Sequence, residues 1–201
     1  MSLGSLQKRL DGWKKAAANG HEIGNHSYSH PCTANFPFSA RNALEDYTPA
    51  MMEKELDRAN TEIERLLGTK PASFAFPCGQ KFTGRGVNVK SYVPLVARRF
   101  LTGRGFRDEM ANDPARCDLA QLLGIESDGL TFEKVKAFIT AAAGNRGWLV
   151  FAGHEIGTPA HQTTNADMLD QLLRYAADPA NGVWLDTVQA VATYVRAKRG
   201  L

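Results

Sequence analysis

The sequence predicts an α/β fold in which a parallel sheet is covered by helices, either open or closed into a barrel. Helical and strand-like segments alternate along the chain, and the strand candidates are short, near-continuous apolar runs of the kind that parallel strands show when both faces are buried. Size agrees with this. A chain of 201 residues with 43% hydrophobic and 22% charged residues suits one globular domain with a sizeable core.

Leu6, Leu10, Trp13 and Ala17 form one apolar stripe among Lys8, Arg9, Lys14 and Lys15, and Asn19-Gly20 stops it. The first element is therefore an amphipathic helix. Residues 21–26 read as a short strand, with Gly24 allowing close backbone approach. A long loop over 35–47 follows, and Thr48-Pro49 then opens the strongest helix signal, an N-cap with proline in the first turn. Its stripe is Met52, Leu56, Ala59, Ile63 and Leu66-Leu67, and Gly68 ends it. Ser73-Phe74-Ala75-Phe76 is a buried strand stopped by Pro77-Cys78-Gly79. Residues 91–100 form a short helix with Pro94 in its first turn, followed by a strand over 100–102. Another strand falls within 118–125, and Thr131 caps a helix through Ala143. Residues 148–152 are the clearest buried strand and deliver His154 at its end. Thr164 starts a helix through Ala177, Val183-Trp184-Leu185 is a last strand, and Thr187 caps a terminal helix to Lys198.

The net charge of +3 and pI near 8.8 are too mild to call for nucleic acid or a membrane surface as partner. Basicity is concentrated between Lys81 and Arg107, where seven lysines and arginines occur without an acidic residue. They are read as a solvated face with arginines paired to carboxylates elsewhere. Cys32, Cys78 and Cys117 lack C-x-x-C spacing and are odd in number, which argues against a zinc ribbon or a disulfide-stapled fold; one disulfide can still form. No apolar run approaches a membrane span, and the first residues do not read as a signal peptide. Met1-Ser2-Leu3 has the look of a cloning scar.

Chemistry-bearing residues concentrate in residues 21–30, H-E-I-G-N-H-S-Y-S-H. His26 and His30 are candidate metal ligands, because neutral imidazole suits zinc and a spacing of four lets two side chains point the same way from one helical turn. His21-Glu22 and His154-Glu155 suggest the H-E-x-x-H pair of zinc proteases, but the next histidine after His21 is five residues on, off the shared face. His21 and His161 are surface histidines by default. In parallel α/β folds the chemistry gathers at the carboxyl ends of strands, and His26, His30, Pro77-Cys78-Gly79 and His154 all follow strands.

His26-Ser27-Tyr28-Ser29-His30 resembles the H-[ST]-x-x-H motif of the polysaccharide deacetylase family, the NodB-homology domain of carbohydrate esterase family four. Phe74-Ala75-Phe76-Pro77-Cys78-Gly79 is similar to its third motif, a strand entering a turn that lines the substrate groove. Residues 148–154 resemble the fifth, a hydrophobic strand ending in the histidine that serves as general acid. The resemblance implies a distorted (β/α) barrel and a metal-dependent hydrolase that removes an acetyl group from an amine, most naturally on an N-acetylated carbohydrate or another small acylated amine. It implies a divalent metal, zinc, held by His26 and His30 with an aspartate, with His154 as acid and Phe76, Pro77, Cys78 and Gly79 at the substrate.

The sequence also departs from the family. The first motif, a strand ending T-F-D-D that supplies the base and the third metal ligand, has no counterpart, and Asp11 lies inside a helix. The fourth motif is placed only loosely, near Asp128. Ala75 stands where many members carry arginine, so that role is vacant or filled from Arg85 or Arg104. The expectation is an N-terminally truncated domain over 1–201, with an incomplete or opened barrel and an exposed sheet edge across which two copies would pair. Activity is expected to be impaired, and the competing reading is a non-catalytic carbohydrate-binding relic of the same fold. The compartment is extracellular or periplasmic if a missing N-terminus carried a signal peptide, and cytoplasmic otherwise.

Overall fold

The computed structural model describes residues 3–201; Met1 and Ser2 of the expected scar lie outside the described residues. Contacts divide the chain into two compact units. One runs to Gly105 and includes Asp118–Gln121; the other comprises Phe106–Cys117 and Leu122–Leu201.

In the first unit the opening helix is split at Arg9 into α1 (Leu3–Lys8) and α2 (Leu10–Ala18). The expected stripe is real: Leu6 is buried and packs with Leu10, Trp13 and Ala17 around Ile23 and Ile63. Helix α3 (Pro49–Leu67) starts and stops where its caps dictate. Thr48 Oγ1 accepts the Met51 N–H, and Gly68 takes φ +67°, the left-handed conformation that releases the chain. Its buried face is Met52, Leu56, Ala59 and Ile63. Strand β1 (Ser73–Ala75) is followed by the antiparallel pair β2 (Phe82–Thr83) and β3 (Lys90–Ser91), then α4 (Val93–Arg99) and β4 (Thr102–Arg104). Strands β1 and β4 are parallel, with Phe74 opposite Gly103 and Ala75 opposite Arg104. Phe74, Phe76, Tyr92 and Phe100 fill the core with Met52 and Leu56.

The expected strand over 21–26 reduces to one parallel bridge. Asn25 donates its N–H to Ser73 O and its carbonyl accepts from Ala75 N–H, both at 2.9 Å. The chain then leaves the sheet because Ser27 takes φ +62°. Gly24 does permit a close approach, since a Cβ there would fall 2.8 Å from Ser73 Oγ.

In the second unit β5 (Ile125–Glu126) leads to α5 (Phe132–Ala143), capped by Thr131 as expected. Strand β6 (Phe151–Ala152) pairs in parallel with β5, and β7 (Glu155–Gly157) with β8 (Thr163–Asn165). Helices α6 (Ala166–Ala177) and α7 (Val188–Lys198) complete it. Val135, Met168 and Leu172 form its core with Phe132, Ile139 and Phe151 around them.

Several boundaries move. The apolar run at 148–152 keeps only its last two residues as strand, because Trp148 instead bridges Asn112. Residues 119–121 form a tight turn, so the strand expected within 118–125 is left with Ile125 alone of those residues. Thr164 belongs to β8, and Asn165 caps α6 by accepting the Asp167 N–H. Val183, Trp184 and Leu185 make no strand; Trp184 and Leu185 are exposed, and the indole N–H donates to Asp186 Oδ2 at 3.2 Å.

The α/β class holds, and among the described residues the strands form four two-stranded sheets, none closing on itself. The arginines between 81 and 107 are largely paired: Arg85 with Asp46, Arg99 with Glu53 and Asp57, and Arg107 with Glu126. Among the described residues no helix is long and apolar enough to cross a membrane.

Candidate functional site

The histidine turn of the first unit is not helical. Asn25 is completely buried, and its side chain donates to Leu56 O and Asn60 Oδ1 on α3 while its Oδ1 accepts the Ser27 N–H at 2.7 Å. Ser27 Oγ in turn accepts the His30 N–H at 3.0 Å, and His30 takes φ +55°. Glu55 of α3 clamps the tip by accepting from both the N–H and the hydroxyl of Ser29. This tight turn, and not a helical face, brings the two imidazoles together, with ring centroids 4.7 Å apart and nearly perpendicular planes.

His26 Nδ1 lies 2.7 Å from Ala75 O. A carbonyl only accepts, so Nδ1 carries the proton and Nε2 keeps the lone pair, the arrangement a metal-binding histidine needs. Burial first, then the neighbouring charge of His30 and more weakly Arg104, hold the His26 pKa well below its ordinary value, so the ring is neutral. Of the two arginines that could fill the role left vacant at Ala75, Arg85 is occupied with Asp46, while Arg104 stands in register with Ala75 and its burial lowers its pKa to about 10.

The turn after β1 departs from its expected part. Phe76 is fully buried against Phe74 and Tyr92, and Pro77 is buried too, so neither presents its side chain to a substrate. Cys78 takes φ +53° and forms a disulfide with Cys32, across Cα atoms 6.0 Å apart. Gly79 alone of the four lines a cleft of about 380 Å³, with Thr33, Glu45, Gln80, Lys81 and Phe82. The Thr33 hydroxyl donates to Glu45 and holds that carboxyl below its ordinary value.

Of the ligands implied for a metal, His26 and His30 lie side by side, and His26 has the tautomer that such a ligand needs. The third has no counterpart: among the described residues the three-membered group able to hold an ion is His30, Cys32 and Cys78, which contains no carboxylate.

In the second unit, His154 follows β6 as expected, and the structure supplies a partner that spacing alone placed only loosely. Asp128 Oδ2 lies 2.5 Å from His154 Nδ1, and Asp128 Oδ1 accepts the His154 N–H and the Thr164 hydroxyl. Ser127 and Thr164 hydroxyls share a hydrogen bond at 2.8 Å beneath them. Burial alone would raise the Asp128 pKa, but these hydrogen bonds outweigh it and hold the carboxyl below its ordinary value. An ionised Asp128 accepts a hydrogen bond from Nδ1–H, which leaves the lone pair of the ring on His154 Nε2. His154 borders a cleft of about 240 Å³ whose walls include Phe151, Ile156, Met168 and Leu172. Asp186 is engaged at the start of α7, where its Oδ1 accepts the Thr187 N–H.

Spacing missed three features: the Cys32–Cys78 pair, the Asn25 anchor and the tie between Asp128 and His154. The signal available for the first was that both cysteines follow strand-end motifs within two residues. The others depend on contacts 26 to 35 residues apart, which periodicity does not report.

The polysaccharide deacetylase family model matches residues 4–92. A 66-residue stretch is 41% identical to the uncharacterized protein YlxY of Bacillus subtilis (strain 168), covering 33% of this chain and 17% of that protein. The chain thus matches less than a fifth of that relative's length. Among solved structures, PuuE allantoinase superposes with a TM-score of 0.62 at 18% identity, over 98% of this chain and 66% of that one. A mutant of the peptidoglycan deacetylase PdaC from Bacillus subtilis gives 0.52 at 18%, over 97% and 74%. The Xyl-CE4 domain of a multidomain xylanase from the hindgut metagenome of Trinervitermes trinervoides gives 0.52 at 13%, over 96% and 72%. At these identities the structures establish the fold. The chain thus resembles the polysaccharide deacetylase family over residues 4–92 and shares the fold of these solved structures over nearly its whole length.

Proposed function

We propose that the chain carries the machinery of a metal-dependent deacetylase acting on an N-acetylated carbohydrate, with His26 and His30 as metal ligands and His154 as general acid. The observation that carries this reading is the Asp128–His154 pair, a carboxylate holding an imidazole in one tautomer beside a cleft. Such an acid protonates a leaving amine through Nε2 and contributes about 10²- to 10⁴-fold in rate. A divalent ion at the histidines would supply Lewis acidity, polarising the acyl carbonyl and making water nucleophilic at neutral pH. The chain's own part is to keep His26 neutral, to fix its Nδ1 proton on Ala75 O, and to offer the cleft at Gly79 to the sugar.

Turnover is slow in this reading, because the described ligand group lacks a carboxylate to complete the metal shell or act as base. The same observation supports the second reading, a carbohydrate-binding relic. Acetate release from N-acetylated oligosaccharides, with zinc and with chelator, separates them. Weak release that needs metal and falls at least tenfold in His154→Ala supports the deacetylase. Oligosaccharide binding that ignores chelator, with no acetate formed, overturns it in favour of the relic.

A further inference from the structure

The histidine turn and the turn after β1 bring two sulfurs that the deacetylase reading leaves unused beside His30, a histidine that it does use. Cys32 lies two residues beyond His30, with its Sγ 3.7 Å from His30 Nδ1. Cys78 reaches the same point from the other turn, and the ligand atoms of His30, Cys32 and Cys78 all lie within 4.8 Å of one another. Among the described residues this is the group of three that could hold an ion. His30 and Cys78 both have left-handed backbone, a costly conformation for residues with a Cβ that collects at ligand sites. Cys32 is fully buried, while His30 and Cys78 are half-buried, so an ion has an approach from their side.

While the sulfurs are bonded to each other they are poor ligands, since metals bind thiolate. Reduced, they become two soft donors beside an imidazole, the combination that selects zinc over the hard divalent cations. Tetrahedral zinc, with bonds of about 2.3 Å to sulfur and about 2.0 Å to nitrogen, sets its donors roughly 3.3–3.8 Å apart.

We propose that His30, Cys32 and Cys78 form a zinc site when the Cys32–Cys78 disulfide is reduced, and that the disulfide closes it. With a phosphine as reductant, phosphorus attacks one sulfur and the S–S bond breaks. Water then converts the phosphonium to phosphine oxide, leaving two thiols. Zinc displaces the two thiol protons into solvent as two Zn–S bonds and one Zn–N bond form. A small-molecule disulfide reverses this by exchange: two protons are taken up, the protein disulfide re-forms, two small thiols are produced and the ion leaves.

The test uses the full chain carrying Cys117→Ser, so that only these two thiols remain. The phosphine-reduced and the oxidised protein are each titrated with Co²⁺ in the absence of oxygen. The expected result is one Co²⁺ per reduced chain with an intense sulfur-to-cobalt absorption band, displaced by zinc and abolished by reoxidation. The band should survive His26→Ala and lose at least tenfold in affinity in His30→Ala. Reduced protein that binds Co²⁺ without the band, or binds none, overturns the proposal. So does reduced protein that unfolds, by circular dichroism, and is not refolded by zinc. Co²⁺ bound by the oxidised chain without the band, and lost in His26→Ala, belongs to the deacetylase reading, so the two can fail separately.

Discussion

The histidine turn of the first unit is tied down by a fully buried asparagine, a glutamate clamp and a disulfide, whereas His154 in the second unit is held by one carboxylate, with the Phe106 ring and the Gln162 amide beside it. The difference matches what the proposed roles would require. A ligand pair has to keep two lone pairs converged, which demands a rigid backbone. An acid has only to keep one tautomer and exchange a proton, which one charge-assisted hydrogen bond achieves. The first region should therefore respond to mutation mainly through stability and the second mainly through activity.

The sharpest way to break the contrast is to remove the covalent tie. The disulfide spans 46 residues, and loop-closure entropy assigns such a link about 4 kcal/mol. Cys32→Ser with Cys78→Ser should cost roughly that amount in denaturant unfolding, and a loss below about 1 kcal/mol would show that the turn is held without it. Asn25→Ala should come next. It strips partners from the Ser27 N–H and Leu56 O in a fully buried place, for about 2–6 kcal/mol at about 1–3 per unsatisfied group. Retained stability would mean that water replaces the side chain.

In the second unit Gly153→Ala tests the support of the acid. A Cβ there would fall 2.2 Å from Thr164 Oγ1 and 2.8 Å from Asp128 Oδ1, so the hydroxyl network must move, at about 1–3 kcal/mol. The His154 pair should be displaced with it, and unchanged acetate release would deny it a role in catalysis. Asp128→Asn should be the mildest for the fold, at about 1–2 kcal/mol near neutral pH, while lowering acetate release at least tenfold.

Its pH dependence has a definite sign. The folded Asp128 pKa lies below the unfolded value of about 3.9, so the unfolded state takes up protons first. The stability that the ionised carboxylate contributes is complete above that pH and is lost as pH falls through the lower folded value. The gap between wild type and Asp128→Asn should therefore close in acid. A gap that widens below pH 4 would contradict the assignment.

How much of this was legible from residues alone varies by element. Thr48-Pro49 and Gly68 delimit α3 in both readings, because capping is local chemistry between neighbours. The strand over 148–152 was overdrawn because apolar composition signals burial without signalling pairing, and Trp148 is buried at a single bridge to Asn112. Phe76 shows the same limit at the site. Its place in a motif suggested substrate contact, while its neighbours Phe74 and Tyr92 put it in the core.

From the order of its residues the chain is recognisable as an α/β protein with deacetylase-like motifs, and His26, His30 and His154 stand out as candidate site histidines. Those properties reside in short-range pattern: capping, apolar runs and motif spacing. That His26 and His30 meet through left-handed turns instead of a helical face, that Asp128 orients His154, and that Cys32 and Cys78 converge beside an imidazole are decided by folding. Each joins residues through space, where the partner is chosen by packing and by the demand that buried polar groups be satisfied.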